Sequence, residues 1–327
     1  MQDKVALEEH FAIADTVNDS LGQLPKRLWA EIRTRLLDFD DQRLCEMDKH
    51  GIAITVLSLN APAVQAIPDP KLADDVARRA NDLLAEQVAK HPDRFAALAA
   101  LPLQDPELAI RELERCAKEL NFCGALANGF SQVGDTDTAV YYDAERYWPF
   151  WAAVQQLDVP FYLHPRNPLP VWSHIYDGHP WLLGASWAFG VETATHALRL
   201  MGSGLFDKYP RVQIILGHLG EGLPYAMWRI DNHNAYLNMG NACPAQKKMT
   251  EYFCSNFHLT TSGNFRTQSL IDAILEIGAD RVLFSTDWPF ESMADAATWF
   301  DSASISEPDR LKIARSNALR LFKLDHR

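Results

Sequence analysis

Short apolar runs rich in strand formers alternate along the chain with longer stretches whose apolar residues recur three and four positions apart. The strand candidates are Val5 to Phe11, Ile54 to Asn60, Phe95 to Leu103, Gly124 to Asn128, Val159 to His164, Val212 to His218, Phe257 to Ser262, and the run from Val282 to Phe290. Between them fall helix candidates at Arg43 to His50, Pro70 to His91, Pro106 to Leu120, Tyr147 to Leu157, Val191 to Met201, Leu223 to Asn238 and Thr267 to Gly278. Two more, Ala294 to Ala303 and Pro308 to Phe322, close the chain. The clearest helix has Leu72, Val76, Ala80, Leu83, Leu84 and Val88 on one face and is stopped by Pro92. Gly51 marks a helix end and Pro106 a helix start.

Two stretches lack either period. Ala12 to Gln42, with Asn18, Gly22 and Pro25, reads as an irregular excursion. Pro165 to Gly184, rich in Pro, Trp, His and Tyr, reads as a long loop of the kind that serves function.

Strands alternating with helices imply a parallel sheet. Eight such units imply a closed (β/α)8 TIM barrel in an α/β chain, with inserted loops over the C-terminal mouth. The length of 327 residues suits one such domain spanning 1–327, and no compositional linker interrupts it. An open doubly wound sheet is the alternative. It would want a glycine-rich phosphate loop after the first strand, where Glu8-Glu9-His10 stand instead.

A parallel barrel does its chemistry at the C-terminal ends of its strands. Glu8 and His10, two apart on the first strand, share a face, while Glu9 points away toward the helices. His164, His218 and Asp287 end three further strands. Each has a plainer reading: a polar strand end, a packed histidine, or for Asp287 the cap of a helix starting near Glu291. Packing and capping give these residues no reason to share one end of one barrel.

Glu8, His10, His164 and Asp287 are therefore expected to ligate a single divalent metal ion, with positions left open for substrate or water. Two oxygen and two nitrogen donors suit Zn²⁺ or Mn²⁺. A bridged metal pair would want a modified lysine at the end of strand four, which offers Asn128. Glu221 is placed to orient His218, or simply to sit in a helical first turn; both can hold together. Of the other histidines, His50, His91 and His326 lie at helix ends or in the tail, His258 starts its strand, and His174, His179, His196 and His233 fall in loops or helices.

Apolar residues make up 47% of the chain, enough for a large core, and the net charge is −12. That charge argues against a nucleic-acid or anionic-membrane surface. No apolar run is long enough to span a bilayer, and the N-terminal residues lack a signal-peptide pattern. The five scattered cysteines, with no paired motif, read as reduced thiols in a cytoplasm.

Glu8-x-His10, His164, the segment His218-Leu219-Gly220-Glu221-Gly222-Leu223-Pro224, the segment Ser285-Thr286-Asp287-Trp288-Pro289-Phe290 and the tail Asn317-Ala318-Leu319-Arg320-Leu321-Phe322 together resemble the amidohydrolase superfamily. The similarity is to its branch of decarboxylases related to aminocarboxymuconate-semialdehyde decarboxylase. Most of the superfamily has His-x-His at strand one. Glu8 departs from that, and non-oxidative aromatic-acid decarboxylases share the departure.

The resemblance implies reversible, metal-dependent decarboxylation of a small aromatic acid, 2,6-dihydroxybenzoate, to resorcinol and CO2. It implies Asp287 as the acid that protonates the ring, with His218 and Glu221 holding or delivering that proton. It also implies substrate contacts from Asn128, His164, His218, Arg229 and Phe290, with Arg229 reaching a neighbouring subunit of a homo-oligomer, a tetramer. Trp172, Tyr176, Trp181 and Trp187 would join Phe290 in walling the ring. Competing expectations are a metal-dependent hydrolase of a lactone or amide, a decarboxylase of another hydroxybenzoate, and a non-catalytic binding barrel.

Overall fold

The computed structural model describes residues 1–21, 25–237 and 243–324; Gly22, Asn238 and His326 lie outside the described residues. Eight strands form one sheet: β1 (Lys4–Phe11), β2 (Ile52–Leu59), β3 (Phe95–Ala100), β4 (Gly124–Asn128), β5 (Phe161–His164), β6 (Ile214–Leu216), β7 (Phe257–Thr260) and β8 (Val282–Leu283). Every neighbouring pair is parallel and in chain order. The ring shuts between β8 and β1 through a parallel bridge of Leu7 with Ser285, a bond from Leu7 N–H to Phe284 O (3.3 Å) and one from His10 N–H to Trp288 O (2.6 Å).

The strands read as nearly unbroken apolar runs because both of their faces are covered. Alternate residues sort into two cores. Val5, Leu7, Ile54, Val56, Leu98, Leu126, Tyr162, Ile215 and Leu283 pack together as the barrel interior, joined by Phe322 and Leu324 of the tail. Their neighbours, such as Ala6, Leu57, Ala97, Leu163 and Leu216, belong to the larger core shared with the helices. Helices Pro70–Lys90 and Pro106–Lys118 begin alike: Asp69 and Asp105 accept bonds from first-turn N–H groups, and a proline follows each.

Four local departures from the sequence reading bear on the site. The stretch after β1 is not wholly irregular, because Lys26–Leu36 is a helix. Its Trp29, Ile32 and Leu36 fall on one face and bury against Ala12 and Val17, with Phe290 packed on them. A small antiparallel hairpin (131–132 with 139–140) and helices Leu205–Lys208 and Met249–Asn256 are additions the periodicity did not give. The strand expected over Val282 to Phe290 pairs at only two residues before leaving the sheet. The helix after it starts at Met293 and is capped by Ser292, so Asp287 is free of that duty.

Candidate functional site

Glu8, His10, His164 and Asp287 meet at the C-terminal mouth of the barrel. One ligand atom from each lies within 4.8 Å of all the others. β1 is bulged between Ala6 and Glu9, and Glu8 adopts φ +57°. Glu8 and His10 are both fully buried. Glu8 Oε1 is 3.3 Å from His164 Nε2 and 3.6 Å from His218 Nε2. His10 Nε2 is 3.3 Å from Asp287 Oδ1, and its Nδ1 lies 3.2 Å from Ser58 Oγ. Asp287 sits at φ +70°, just beyond β8.

The other oxygen of Glu8 is held by hydroxyls. Tyr162, Ser262 and Thr260 all donate to Oε2. None of the three was singled out from sequence. The signal was available: Tyr162 shares a strand face with His164, and Thr260 shares one with Ser262. Gly217 completes the cradle, since a Cβ there would fall 2.8 Å from Glu8 Oε2.

Among the described residues Glu8 Oε1 and His10 Nε2 have no hydrogen-bond partner, although both are buried. Buried polar atoms left so are costly and uncommon. A divalent cation among the four side chains would satisfy both, and a set of two carboxylates and two imidazoles suits such an ion. The residues present therefore fit the metal that the sequence reading assigned to them.

His218 sits beside this cluster. Its Nδ1 is 2.7 Å from Glu221 Oε1, and its Nε2 is 3.7 Å from Asp287 Oδ2. Burial works against its imidazolium, but Glu221, Glu8 and Asp287 outweigh burial and hold His218 well above the ordinary histidine range. Burial pushes Glu8 up, yet His218, His164 and His10 prevail and hold it below the usual carboxylate range. His164 is lowered by burial, against the pull of Glu8. His218 and Glu221 also line a cavity of about 690 Å³ with Trp187, Leu198, Leu223 and Tyr225. The dyad thus stands between the four-residue cluster and an open, largely apolar space.

The remaining expected contacts are placed less uniformly. The Phe290 ring lies edge-on to His10 with centroids 5.7 Å apart. Asn128 is buried at the end of β4, its amide donating to Asn60 O at 3.0 Å while its Oδ1 stays unpartnered. Arg229 is not brought to the cluster; it is exposed on helix Leu223–Leu237. The loop aromatics do not act as one wall. Trp172 stacks on Tyr141, Tyr176 is buried, Trp181 meets His179, and Trp187 alone of the four borders the cavity beside His218. Consecutive aromatics on a loop of short turns need not face one way.

Glu9 is fully buried between β1 and the segment carrying Asp287, rather than simply facing the helices. Both its oxygens accept from Thr286, and burial pushes its carboxyl up to about 8.

Residues 41–324 match the family model described as amidohydrolase. The chain is 66% identical over 325 residues to the gamma-resorcylate decarboxylase of Rhizobium sp. (strain MTP-10005), covering 99% of each. A crystal structure of a 2,6-dihydroxybenzoate decarboxylase complexed with 2,6-dihydroxybenzoate superimposes with a TM-score of 0.97 at 65% identity, covering 99% of this chain and 100% of that one. The dihydroxybenzoic acid decarboxylase of Polaromonas sp. JS666, solved with bound manganese and the inhibitor 2-nitroresorcinol, also gives 0.97 at 65% identity, covering 100% and 98%.

Proposed function

The chain belongs to the amidohydrolase family, and on that premise we propose that it is a metal-dependent carboxy-lyase that converts 2,6-dihydroxybenzoate reversibly to resorcinol and CO2. The observation that carries this reading is the convergence of Glu8, His10, His164 and Asp287 on one point, with Glu8 Oε1 and His10 Nε2 unpartnered there among the described residues. The named activities of relatives that match the chain end to end support the same reaction.

Glu8, His10, His164 and Asp287 would hold one divalent ion. That ion would supply a Lewis acid for the substrate carboxylate and the neighbouring phenolic oxygen. Asp287 gives a proton to the ring carbon that bears the carboxylate, which breaks aromaticity. The carbon–carboxylate bond then cleaves, its electron pair returns to the ring, and CO2 leaves. One proton is consumed per turnover. His218 and Glu221, hydrogen-bonded to each other and bordering the cavity, are placed to restore it to Asp287. Phe290 offers an apolar face to the flat ring. The donor set admits Zn²⁺ or Mn²⁺, and the manganese held by the Polaromonas relative favours Mn²⁺.

The proposal extends to a chain that acts as one domain over 1–327, in the cytoplasm, as a homotetramer. Five free cysteines support a reducing compartment. Ile175, Trp181, Trp187, Tyr225 and Trp228 are all exposed on the loop and helix beside the cavity, which supports burial of that face between subunits. Arg229 lies on the same helix, in keeping with a contact to a neighbour's substrate.

Purified protein loaded with Mn²⁺ should release resorcinol and CO2 from 2,6-dihydroxybenzoate, lose that activity on chelation and regain it with Mn²⁺. Turnover of lactones without any CO2 from hydroxybenzoates would instead make it a hydrolase.

A further inference from the structure

We propose that Glu9 is a positioning residue that locks Asp287 against the first strand through Thr286, so that a single tripeptide both supplies two ligands and fixes the place of a third. The proposal rests on the reading of Asp287 as ligand and acid.

The closing seam of the barrel is thin. β8 pairs over two residues, and the chain just beyond it meets β1 through one bridge, with Leu7 N–H donating to Phe284 O and the Ser285 hydroxyl to Leu7 O. Everything past Leu283 must therefore be held by other means. Ser285 N–H bonds to Thr261 Oγ1 at 2.9 Å, and Thr261 Oγ1 donates in turn to Ser285 O at 2.9 Å. At the far side, His10 N–H reaches Trp288 O at 2.6 Å.

Between these ties sits Thr286, and among the described residues its side-chain partner is Glu9 alone. Its N–H reaches Glu9 Oε1 at 2.9 Å, and its hydroxyl lies 2.9 Å from Oε1 and 2.7 Å from Oε2. The next residue, Asp287, adopts φ +70°. A non-glycine residue there is strained and persists only where its surroundings determine it. The Glu9–Thr286 clamp lies directly before that residue.

The other side of the clamp is fixed too. Arg43, fully buried, donates through Nη2 to His10 O at 2.6 Å and through Nε to Asp38 O at 3.1 Å. The backbone of the Glu8-Glu9-His10 peptide is thereby braced from behind. Burying a carboxyl is expensive unless its hydrogen bonds are made, and these are made to one residue of the opposite seam. An apolar side chain at position 9 could fill the space. It could not tie the two metal-bearing segments together.

Four variants test this: Glu9→Ala, Glu9→Gln, Thr286→Val and Thr286→Ser. Glutamine keeps an acceptor for the Thr286 N–H and faces the hydroxyl with a donor; serine keeps the hydroxyl. Mn²⁺ affinity is read by electron paramagnetic resonance of free Mn²⁺ during titration, which needs no turnover and so stands even if the substrate assignment fails. Kinetics with 2,6-dihydroxybenzoate give the second reading.

Glu9→Ala should weaken Mn²⁺ binding about tenfold or more. Its kcat should fall about 100-fold, with KM changed by less than about threefold. Thr286→Val should shift both in the same direction by less. Gln at 9 and Ser at 286 should each recover most of the loss. Should Glu9→Ala fail to fold, the Thr286 pair, which leaves the backbone bond in place, is enough to decide between the outcomes. Wild-type Mn²⁺ affinity and kcat in Glu9→Ala or Thr286→Val would overturn the proposal, as would Glu9→Gln falling as far as Glu9→Ala.

Discussion

Lys4 and Glu8 stand near opposite ends of the same strand, and neither is exposed. The ammonium of Lys4 has every donor engaged, with Met1 O at 2.5 Å, His50 O at 3.1 Å and the Asp301 carboxylate at 3.1 Å. Glu8 has one oxygen crowded by three hydroxyls and the other left without a partner, as is His10 Nε2 close by. At the bottom of the barrel Lys4 thus buries its charge and completes its bonding from within the chain. The rim buries charge and leaves part of its bonding for something brought from outside. A satisfied group stabilises, whereas an unsatisfied one held rigidly costs stability and creates a binding point. Burial does not separate Lys4 from Glu8; the state of their hydrogen bonds does.

The sharpest way to break this contrast is at the rim. Asp287→Asn should cut kcat about 10³-fold or more, because the proposed proton donor is gone, while the urea midpoint stays near wild type. A folded variant with ordinary resorcinol release would remove Asp287 from the chemistry. At the other end, Lys4→Met should do the reverse. It leaves two carbonyls and Asp301 short of a partner, so stability should drop by about 3 kcal/mol with kcat unaltered. Equal unfolding curves for the two proteins would mean that the bottom is no more a stabilising device than the rim.

The smallest effect concerns His258 at the start of β7, held down to about 3 by its burial and then by Arg281 and Arg320. The folded chain keeps it neutral where the unfolded chain, with an ordinary imidazole near 6.5, takes up a proton. Its contribution is whole above that value and drains as pH falls toward the folded one. Between pH 7 and pH 5 the loss is roughly 2 kcal/mol. His258→Gln should flatten the acid side of the stability profile by that amount in urea unfolding. An unchanged slope would show that His258 is not a source of acid sensitivity.

The eight strands and their order were legible because apolar runs buried on both faces leave a strong mark in sequence. The four clustered residues were legible because each ends one of those runs. Helix Lys26–Leu36 was not read, although Trp29, Ile32 and Leu36 carry its spacing, because the loop residues before it dominate the local pattern. The hydroxyls of Tyr162, Thr260 and Ser262 escaped notice because such side chains are common in any strand. Their meaning comes only from Glu8 lying against them across the barrel. The pairing of Glu9 with Thr286 was beyond reach for a like reason: nothing in either neighbourhood says which opposite seam it will meet. Arg229 was read as a contact to a neighbouring subunit, and its side chain takes an outer face of helix Leu223–Leu237, away from its own chain's cluster.

Phe290 has one edge toward His10 and its back against the apolar face of helix Lys26–Leu36. That helix belongs to the stretch between β1 and β2, outside the eight-stranded ring. Under the proposed role of Phe290, substitutions at Trp29 or Ile32 would retune how tightly an aromatic guest is gripped, without touching Glu8, His10, His164 or Asp287. Engineering of ring preference has a natural starting place there, outside the strands that carry the cluster.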